Sequence, residues 1–98
     1  MDELLQQFVI EAAELTQQAS DDLLGLDRDP GNPRLLESAF RALHTLKGSV
    51  GLFGLAPMHT ALHAAEDVLG MVREEAGELD PARIDPLLAI IEWTDRCV

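Results

Sequence analysis

The sequence predicts an all-α fold, an antiparallel up-down four-helix bundle. Apolar residues recur at steps of three and four along most of the chain, which is the spacing of one face of an α-helix. No segment shows the two-residue alternation of a β-strand. Clusters of Gly, Pro, Asp and Asn at 27–33, 51–54 and 77–81 divide the chain into four segments. Because the connections are short, successive helices are expected to pack antiparallel.

The first two helices are delimited by turn residues. We expect the first from about Asp2 to Leu26 and the second from about Pro33 to Val50. Asn32 and Pro33 form an N-cap followed by proline at the first helical position, where the missing N–H costs nothing. The first helix is expected to bury Leu5, Phe8, Ala12, Leu15, Ala19, Leu23 and Leu26. The second is expected to bury Leu36, Ala39, Phe40, Leu43, Leu46 and Val50.

Prolines also mark the last two helices. We expect the third from about Pro57 to Ala76 and the fourth from about Pro81 to Arg96, with Asp80 as the N-cap of the fourth. The third helix is expected to bury Met58, Leu62, Ala65, Leu69 and Val72. The fourth is expected to bury Ile84, Leu87, Leu88 and Ile91, and to leave Trp93 and Val98 partly exposed.

Length and charge limit the class of protein. Ninety-eight residues make a single domain, 1–98. The formal net charge of −11 argues against nucleic acid and anionic membrane surfaces as partners. No apolar run approaches the roughly 20 residues of a bilayer span, and the acidic N-terminus is not a secretory signal. A single cysteine, Cys97, excludes an internal disulfide. We therefore expect a cytoplasmic protein.

The middle of the second helix carries a titratable ring beside the apolar stripe. With Leu43 at the centre of the stripe, His44 points about 100° away, at the edge between core and water. Lys47, Gly48 and Gly51 follow His44 by three, four and seven residues and share its face. A glycine inside a helix costs up to about 1 kcal/mol relative to alanine. Close approach of a partner would explain both glycines; a frayed helix end or tight helix packing are the alternatives.

A second set of chemically active residues lies on the third helix. His59, His63, Glu66 and Gly70 are separated by four, three and four residues and therefore share one flank. An antiparallel bundle allows this flank to meet the side of the second helix that carries His44. Glu66 would then accept a hydrogen bond from one ring nitrogen of His44 and leave the other as an unprotonated nucleophile. His63 or Lys47 would face the anion that forms on His44.

The segment 44–51, HTLKGSVG, resembles the phosphoacceptor motif of histidine phosphotransfer (Hpt) domains, which reads His-x-x-Lys-Gly, then small residues, then Gly. The extended run 40–48, FRALHTLKG, followed by Phe-Gly-Leu at 53–55, is most similar to the N-terminal Hpt domain of CheA-type chemotaxis kinases. The first-helix segment 8–15 and the His-x-x-Glu at 63–66 match that family as well.

The resemblance implies a role for each matched residue. His44 would be phosphorylated on its ε nitrogen, and Glu66 would hydrogen-bond its δ nitrogen. Lys47 and His63 would lie beside the phosphoryl group, and Gly48 would leave room for a docking partner. Residues expected to contact that partner, on the first two helices around His44, are Phe8, Arg41, Leu43, Gly48 and Gly51.

The resemblance also implies partners and cofactors. The phosphoryl group would come from ATP on a separate kinase catalytic domain and pass to an aspartate of a response-regulator receiver domain (CheY-like). ATP and Mg²⁺ would belong to those domains, since this chain lacks a Gly-rich nucleotide loop. The chain would thus be a phosphocarrier. CheA-type domains usually carry one more C-terminal helix, so we expect a fragment of a longer kinase.

The same residues are compatible with two other functions. One is a metal-binding bundle, because His44, His59, His63 and Glu66 are all metal-capable. The chain lacks the paired Glu-x-x-His motifs of dimetal bundles, so we expect no metal site. The other is a helical docking module without phosphorylation, which a buried His44 or an inward-turned Lys47 would favour.

Overall fold

The computed structural model describes residues 3–74, 77, 79 and 81–97. It has four α-helices: α1 Glu3–Arg28, α2 Pro33–Leu52, α3 Ala56–Glu74 and α4 Pro81–Cys97. They form an elongated bundle of 42 × 20 × 19 Å, and no β-strand occurs among the described residues. α1 packs against α2 and α4, and α2 packs against α3, whereas α3 and α4 touch less. The predicted up-down four-helix bundle is confirmed.

The core contains most of the residues predicted to point inward. Leu5 is the clear error: it is exposed, because it lies one turn beyond the contact between Phe8 and Phe53, whose ring centroids are 4.4 Å apart. Leu15, Phe40, Val72 and Leu88 are only partly buried against the core, as is Trp93. The fully buried large side chains include Leu23, Leu26, Leu43, Leu46, Val50, Leu62, Leu69 and Ile91.

The turn after α2 lies further along the chain than predicted. The helix continues past Val50 and through Gly51, and ends at Leu52. Gly54 then adopts φ = +70°, a left-handed conformation that glycine reaches without steric cost. The N–H groups of Gly54 and Leu55 donate to the carbonyls of Gly51 and Val50. Gly51 is therefore a helical residue, and Gly54 makes the break.

The described residues test only part of the predicted boundaries of the last two helices. α3 begins at Ala56, one residue before Pro57, so that proline occupies the second helical position. α4 begins at Pro81 as predicted. The predicted end of the third helix at Ala76 and the predicted N-cap Asp80 lie outside the described residues, as does Val98.

Asn32 caps α2 in the way the sequence indicates. Its side-chain oxygen accepts hydrogen bonds from the backbone N–H groups of Arg34 at 3.0 Å and Leu35 at 3.2 Å. These donors have no partner inside the helix, so Asn32→Ala is expected to lower the free energy of unfolding by about 1 kcal/mol. Urea unfolding followed by circular dichroism measures the loss. Asn32→Ser, which keeps a capping oxygen, should retain most of the stability; equal losses in both variants would contradict the capping role.

Candidate functional site

His44 lies near the middle of α2, and its side chain is 64% exposed. The preceding residue, Leu43, is fully buried, so the helical step places the imidazole at the border of core and solvent. The ring lies nearly parallel to that of Phe40, with an interplanar angle of 11° and centroids 6.3 Å apart. This agrees with the tilt of helical side chains toward the preceding turn. The imidazole is therefore accessible to a large partner.

Glu66 on α3 connects the two helices at this point. Its Oε1 lies 2.8 Å from Nδ1 of His44, and its Oε2 lies 2.7 Å from Nζ of Lys47. The Glu66 side chain is only 10% exposed and that of Lys47 17%. The flanks of α2 and α3 that the sequence placed opposite each other are thus in contact, and a nearly buried carboxylate holds both the ring and the ammonium group.

The ionisation of Glu66 determines which nitrogen of His44 carries the proton. Burial raises the pKa of this carboxyl, but the hydrogen bonds and positive charges of Lys47 and His44 outweigh burial and bring the pKa below its ordinary value of 4.5. At neutral pH the carboxylate can only accept hydrogen bonds. Nδ1 of His44 must therefore be the donor, and in the neutral ring Nε2 keeps its lone pair on the exposed side.

The lowered pKa of Glu66 also predicts how stability depends on pH. A carboxyl whose pKa is depressed by folding stabilises the fold above its unfolded pKa, and this contribution is lost as the pH falls through the folded pKa. Wild type should therefore exceed Glu66→Gln in unfolding free energy at pH 7, and the difference should shrink as the pH falls below about 4.5. Urea unfolding at pH values from 7 to 3 measures it. A difference that persists unchanged at pH 3 would contradict the ionised network.

The histidines of α3 lie beside this network. Nδ1 of His63 lies 3.4 Å from Nζ of Lys47, and its Nε2 lies 3.5 Å from a carboxylate oxygen of Asp67. His59 stacks on His63, with ring centroids 6.5 Å apart and an interplanar angle of 2°. Both histidines are exposed. His63 therefore extends the network from Lys47 toward solvent, and His59 is stacked on the outer side of the network against His63.

Two residues expected to contact a docking partner are buried instead. Leu43 is 0% exposed and Phe8 is 6% exposed. Leu43 occupies the centre of the buried stripe of α2, and Phe8 packs on Phe53 at the end of the core. Neither presents its side chain to a partner, so the prediction that they form a docking patch was wrong. Apolar residues on the inward stripe of a bundle are needed for the core.

The two helical glycines after His44 differ in their surroundings. A Cβ atom on Gly51 would lie 3.3 Å from Cδ2 of His59, a close contact that a small shift of the exposed His59 ring would have to relieve. A Cβ on Gly48 would meet nothing within 4 Å. Packing within the domain therefore does not require a glycine at position 48.

The structure adds an ion cluster that was not predicted from the sequence. Glu37 accepts a hydrogen bond from Nε of Arg41 at 2.8 Å and another from Nη1 of Arg73 at 2.9 Å. The guanidinium of Arg73 also lies 3.9 Å from the ring centroid of Phe40. Hydrogen bonds from Arg41 and Arg73 lower the pKa of the Glu37 carboxyl. The spacing of Glu37 and Arg41 is visible in the sequence, but the contribution of Arg73 depends on how α3 is aligned with α2.

In the described part of the chain, no three His, Cys, Asp or Glu side chains are grouped so that they could hold a metal ion. None of the described helices combines the length and the apolar character needed to cross a bilayer.

Comparisons with known proteins agree on one group of relatives. The sequence model of the Hpt domain matches residues 3–96. The chemotaxis protein CheA of Halobacterium salinarum is 35% identical over 98 residues, which are 100% of this chain and 15% of that protein. The CheA phosphotransferase domain from Thermotoga maritima has a TM-score of 0.90 at 32% identity, covering 99% of this chain and 94% of that one. The solution structure of a histidine phosphotransfer domain of CheA also has a TM-score of 0.90, at 35% identity over 98% of this chain and 72% of that one.

Proposed function

The chain belongs to the Hpt domain family of phosphotransfer domains, and from this premise we propose that it carries a phosphoryl group on His44. The donor would be ATP bound to a separate kinase catalytic domain, and the acceptor an aspartate of a response-regulator receiver domain. The observation that supports this most strongly is the exposed His44 ring with its Nδ1 held by Glu66 at 2.8 Å. ATP and Mg²⁺ would be bound by the partner domains.

Both transfer steps use Nε2 of His44, the ring nitrogen that carries no proton. Nε2 attacks the γ-phosphorus of ATP, so the N–P bond forms while the bond from phosphorus to the bridging oxygen of ADP breaks and its electron pair leaves with ADP. The proton on Nδ1 stays in place, and the carboxylate of Glu66 balances the positive charge that the ring gains. In the second step an aspartate oxygen attacks the phosphorus and the electron pair of the N–P bond returns to Nε2.

In the proposed function Lys47 acts mainly by positioning the carboxylate of Glu66. The side chain of Lys47 is largely covered, which taken alone would favour a docking module without phosphorylation. Its ammonium group, however, forms an ion pair at 2.7 Å with the same carboxylate that orients His44. The inward turn of Lys47 therefore positions the carboxylate, and together with the exposure of His44 it supports phosphotransfer over docking alone.

Labelling with a kinase catalytic domain tests the proposed function. The chain is incubated with the catalytic domain of a CheA-type kinase and ATP labelled at the γ-phosphate. We expect label that is stable in alkali and labile in acid, and that maps to His44 by mass spectrometry of the intact modification. Addition of a receiver domain should then move the label to the receiver. Absence of label, or label on His59 or His63 instead, would refute the assignment.

The Gly48→Ala variant distinguishes an effect on stability from an effect on docking. A methyl group here meets nothing in the domain, so the unfolding free energy should rise by about 0.5–1 kcal/mol. The same methyl group would project beside His44 into the space of a docked partner, and we expect phosphoryl transfer to a receiver to slow by about fivefold or more. Thermal unfolding and stopped-flow transfer rates measure the two effects. A more stable variant with wild-type transfer rates would remove Gly48 from the docking surface.

A further inference from the structure

We propose that Arg41 is a ligand of the phosphoryl group, and that its guanidinium moves from Glu37 to the phosphoryl oxygens when His44 is phosphorylated. This inference rests on the proposed function, because it requires a phosphoryl group on Nε2. It gives Arg41 a role different from that of a docking contact.

The geometry of α2 places Arg41 on the side of the His44 ring that carries Nε2. Arg41 precedes His44 by three residues, so the two side chains are neighbours on the helix surface. Helical side chains lean toward the N-terminus, and the ring of His44 therefore lies over the turn that contains Phe40 and Arg41. Nδ1 faces Glu66 on α3, so Nε2, at the opposite edge of the ring, points away from α3. By the helical step Arg41 lies about 60° from His44 around α2, on the side further from the buried Leu43, and its side chain is 77% exposed.

Lys47 cannot easily supply the charge in its place. Its Nζ lies 2.7 Å from Oε2 of Glu66 and 3.4 Å from Nδ1 of His63, and its side chain is only 17% exposed. Drawing the ammonium group away would leave a nearly buried carboxylate without its cation, which is costly. A different cation would meet a phosphoryl group on the outer edge of the ring without that cost.

The present partner of Arg41 can be exchanged at little cost. The ion pair of Arg41 with Glu37 is open to solvent, and exposed pairs of this kind contribute little to stability. Glu37 keeps a second guanidinium, that of Arg73 at 2.9 Å, when Arg41 leaves. A phosphoryl group offers close to two negative charges and three acceptor oxygens, which the planar guanidinium can bind through two parallel hydrogen bonds. Arg41 therefore has a better partner available only after phosphorylation.

This role differs from docking in a measurable way. A residue that only contacts the kinase domain changes the forward and reverse rates by the same factor and leaves the equilibrium constant unchanged. A ligand of the phosphoryl group stabilises the phosphorylated chain itself and raises the equilibrium constant for transfer from ATP. The equilibrium constant therefore decides between the two roles.

The test measures that constant for matched variants. The chain is equilibrated with a CheA-type kinase catalytic domain at fixed ratios of ATP to ADP, and phosphorylated His44 is quantified by ³¹P NMR. We expect Arg41→Gln to lower the equilibrium constant by about 3- to 10-fold, somewhat more than an exposed ion pair usually contributes, because the guanidinium can make two parallel hydrogen bonds. Arg34→Gln removes the same charge from the same helix, ten residues before His44, and should stay within about twofold of wild type.

A second variant is expected to raise the equilibrium constant, a result that a general loss of structure would not produce. Glu37→Gln weakens the competing partner of Arg41, so the equilibrium constant should rise by about twofold. An unchanged constant in Arg41→Gln, even with slower rates, would make Arg41 a docking contact and overturn the inference, as would a lower constant in Glu37→Gln. Wild type without label on His44 would overturn the proposed function as well, whereas labelled wild type with an unchanged Arg41→Gln constant overturns only the role of Arg41.

Discussion

His44→Gln is expected to abolish phosphoryl uptake from the kinase domain, with no label above background. The amide of glutamine lacks a nucleophilic lone pair comparable to that of imidazole Nε2, so no N–P bond can form. The fold should persist, because the His44 side chain is mostly exposed and the core residue beside it, Leu43, is unchanged. Label incorporation and circular dichroism on the same samples measure both properties.

His59→Gln is the matched control for this substitution. It makes the same chemical change at an exposed histidine on α3 whose ring contacts His63 rather than His44. We expect uptake close to that of wild type. Label retained on His44→Gln, or lost equally from both variants, would show that the nucleophile has been assigned to the wrong residue.

Glu66→Ala is expected to slow phosphoryl uptake by about 10- to 100-fold without abolishing it. A hydrogen bond to a charged group contributes about 1.5–3 kcal/mol, and this range corresponds to that change in rate if the bond is fully effective in the transition state. The substitution removes the acceptor that keeps the proton on Nδ1 of His44, so part of the population carries it on Nε2 and cannot attack. It also leaves Lys47 without its carboxylate. Single-turnover labelling measures the rate.

Two further measurements show whether Glu66 acts through the ring. Glu74→Gln removes an exposed carboxylate from the same helix and should leave the rate unchanged. The ¹⁵N chemical shifts of the His44 ring should report one tautomer in wild type and a mixture in Glu66→Ala. A wild-type rate in Glu66→Ala would remove Glu66 from the mechanism and leave His44 as the nucleophile.

Local patterns in the sequence were sufficient to predict the four-helix fold and the position of His44 at the edge of α2. The steps of three and four, together with the Asn32–Pro33 cap, predicted α2 to within two residues of its observed end at Leu52. These features depend on residues only a few positions apart, because helix formation and capping are local. The exposure of His44 followed from the same helical step beside the buried Leu43.

Burial at particular positions depended on the neighbouring helices. Thr16 and Thr94 are polar residues that continue the buried stripes of α1 and α4, and each hydroxyl has an acceptor within reach. For Thr16 this is the carbonyl of Ala13 at 3.0 Å or, across the bundle, the Asp95 carboxylate at 3.2 Å, and for Thr94 it is the carbonyl of Ile90. Such polar residues enter a core only where an acceptor is available. Leu5 fits the stripe of α1 but extends past the last layer of the core, and periodicity alone cannot show where that layer ends.

The sequence by itself determined four amphipathic helices and a reactive histidine at the edge of one of them, because both depend on spacing along a single helix. Only the tertiary structure decided how α3 is aligned along α2. In the observed alignment Glu66 contacts both His44 and Lys47, and Arg73 contacts Glu37. The register between two helices is set by how their side chains interdigitate over their whole length.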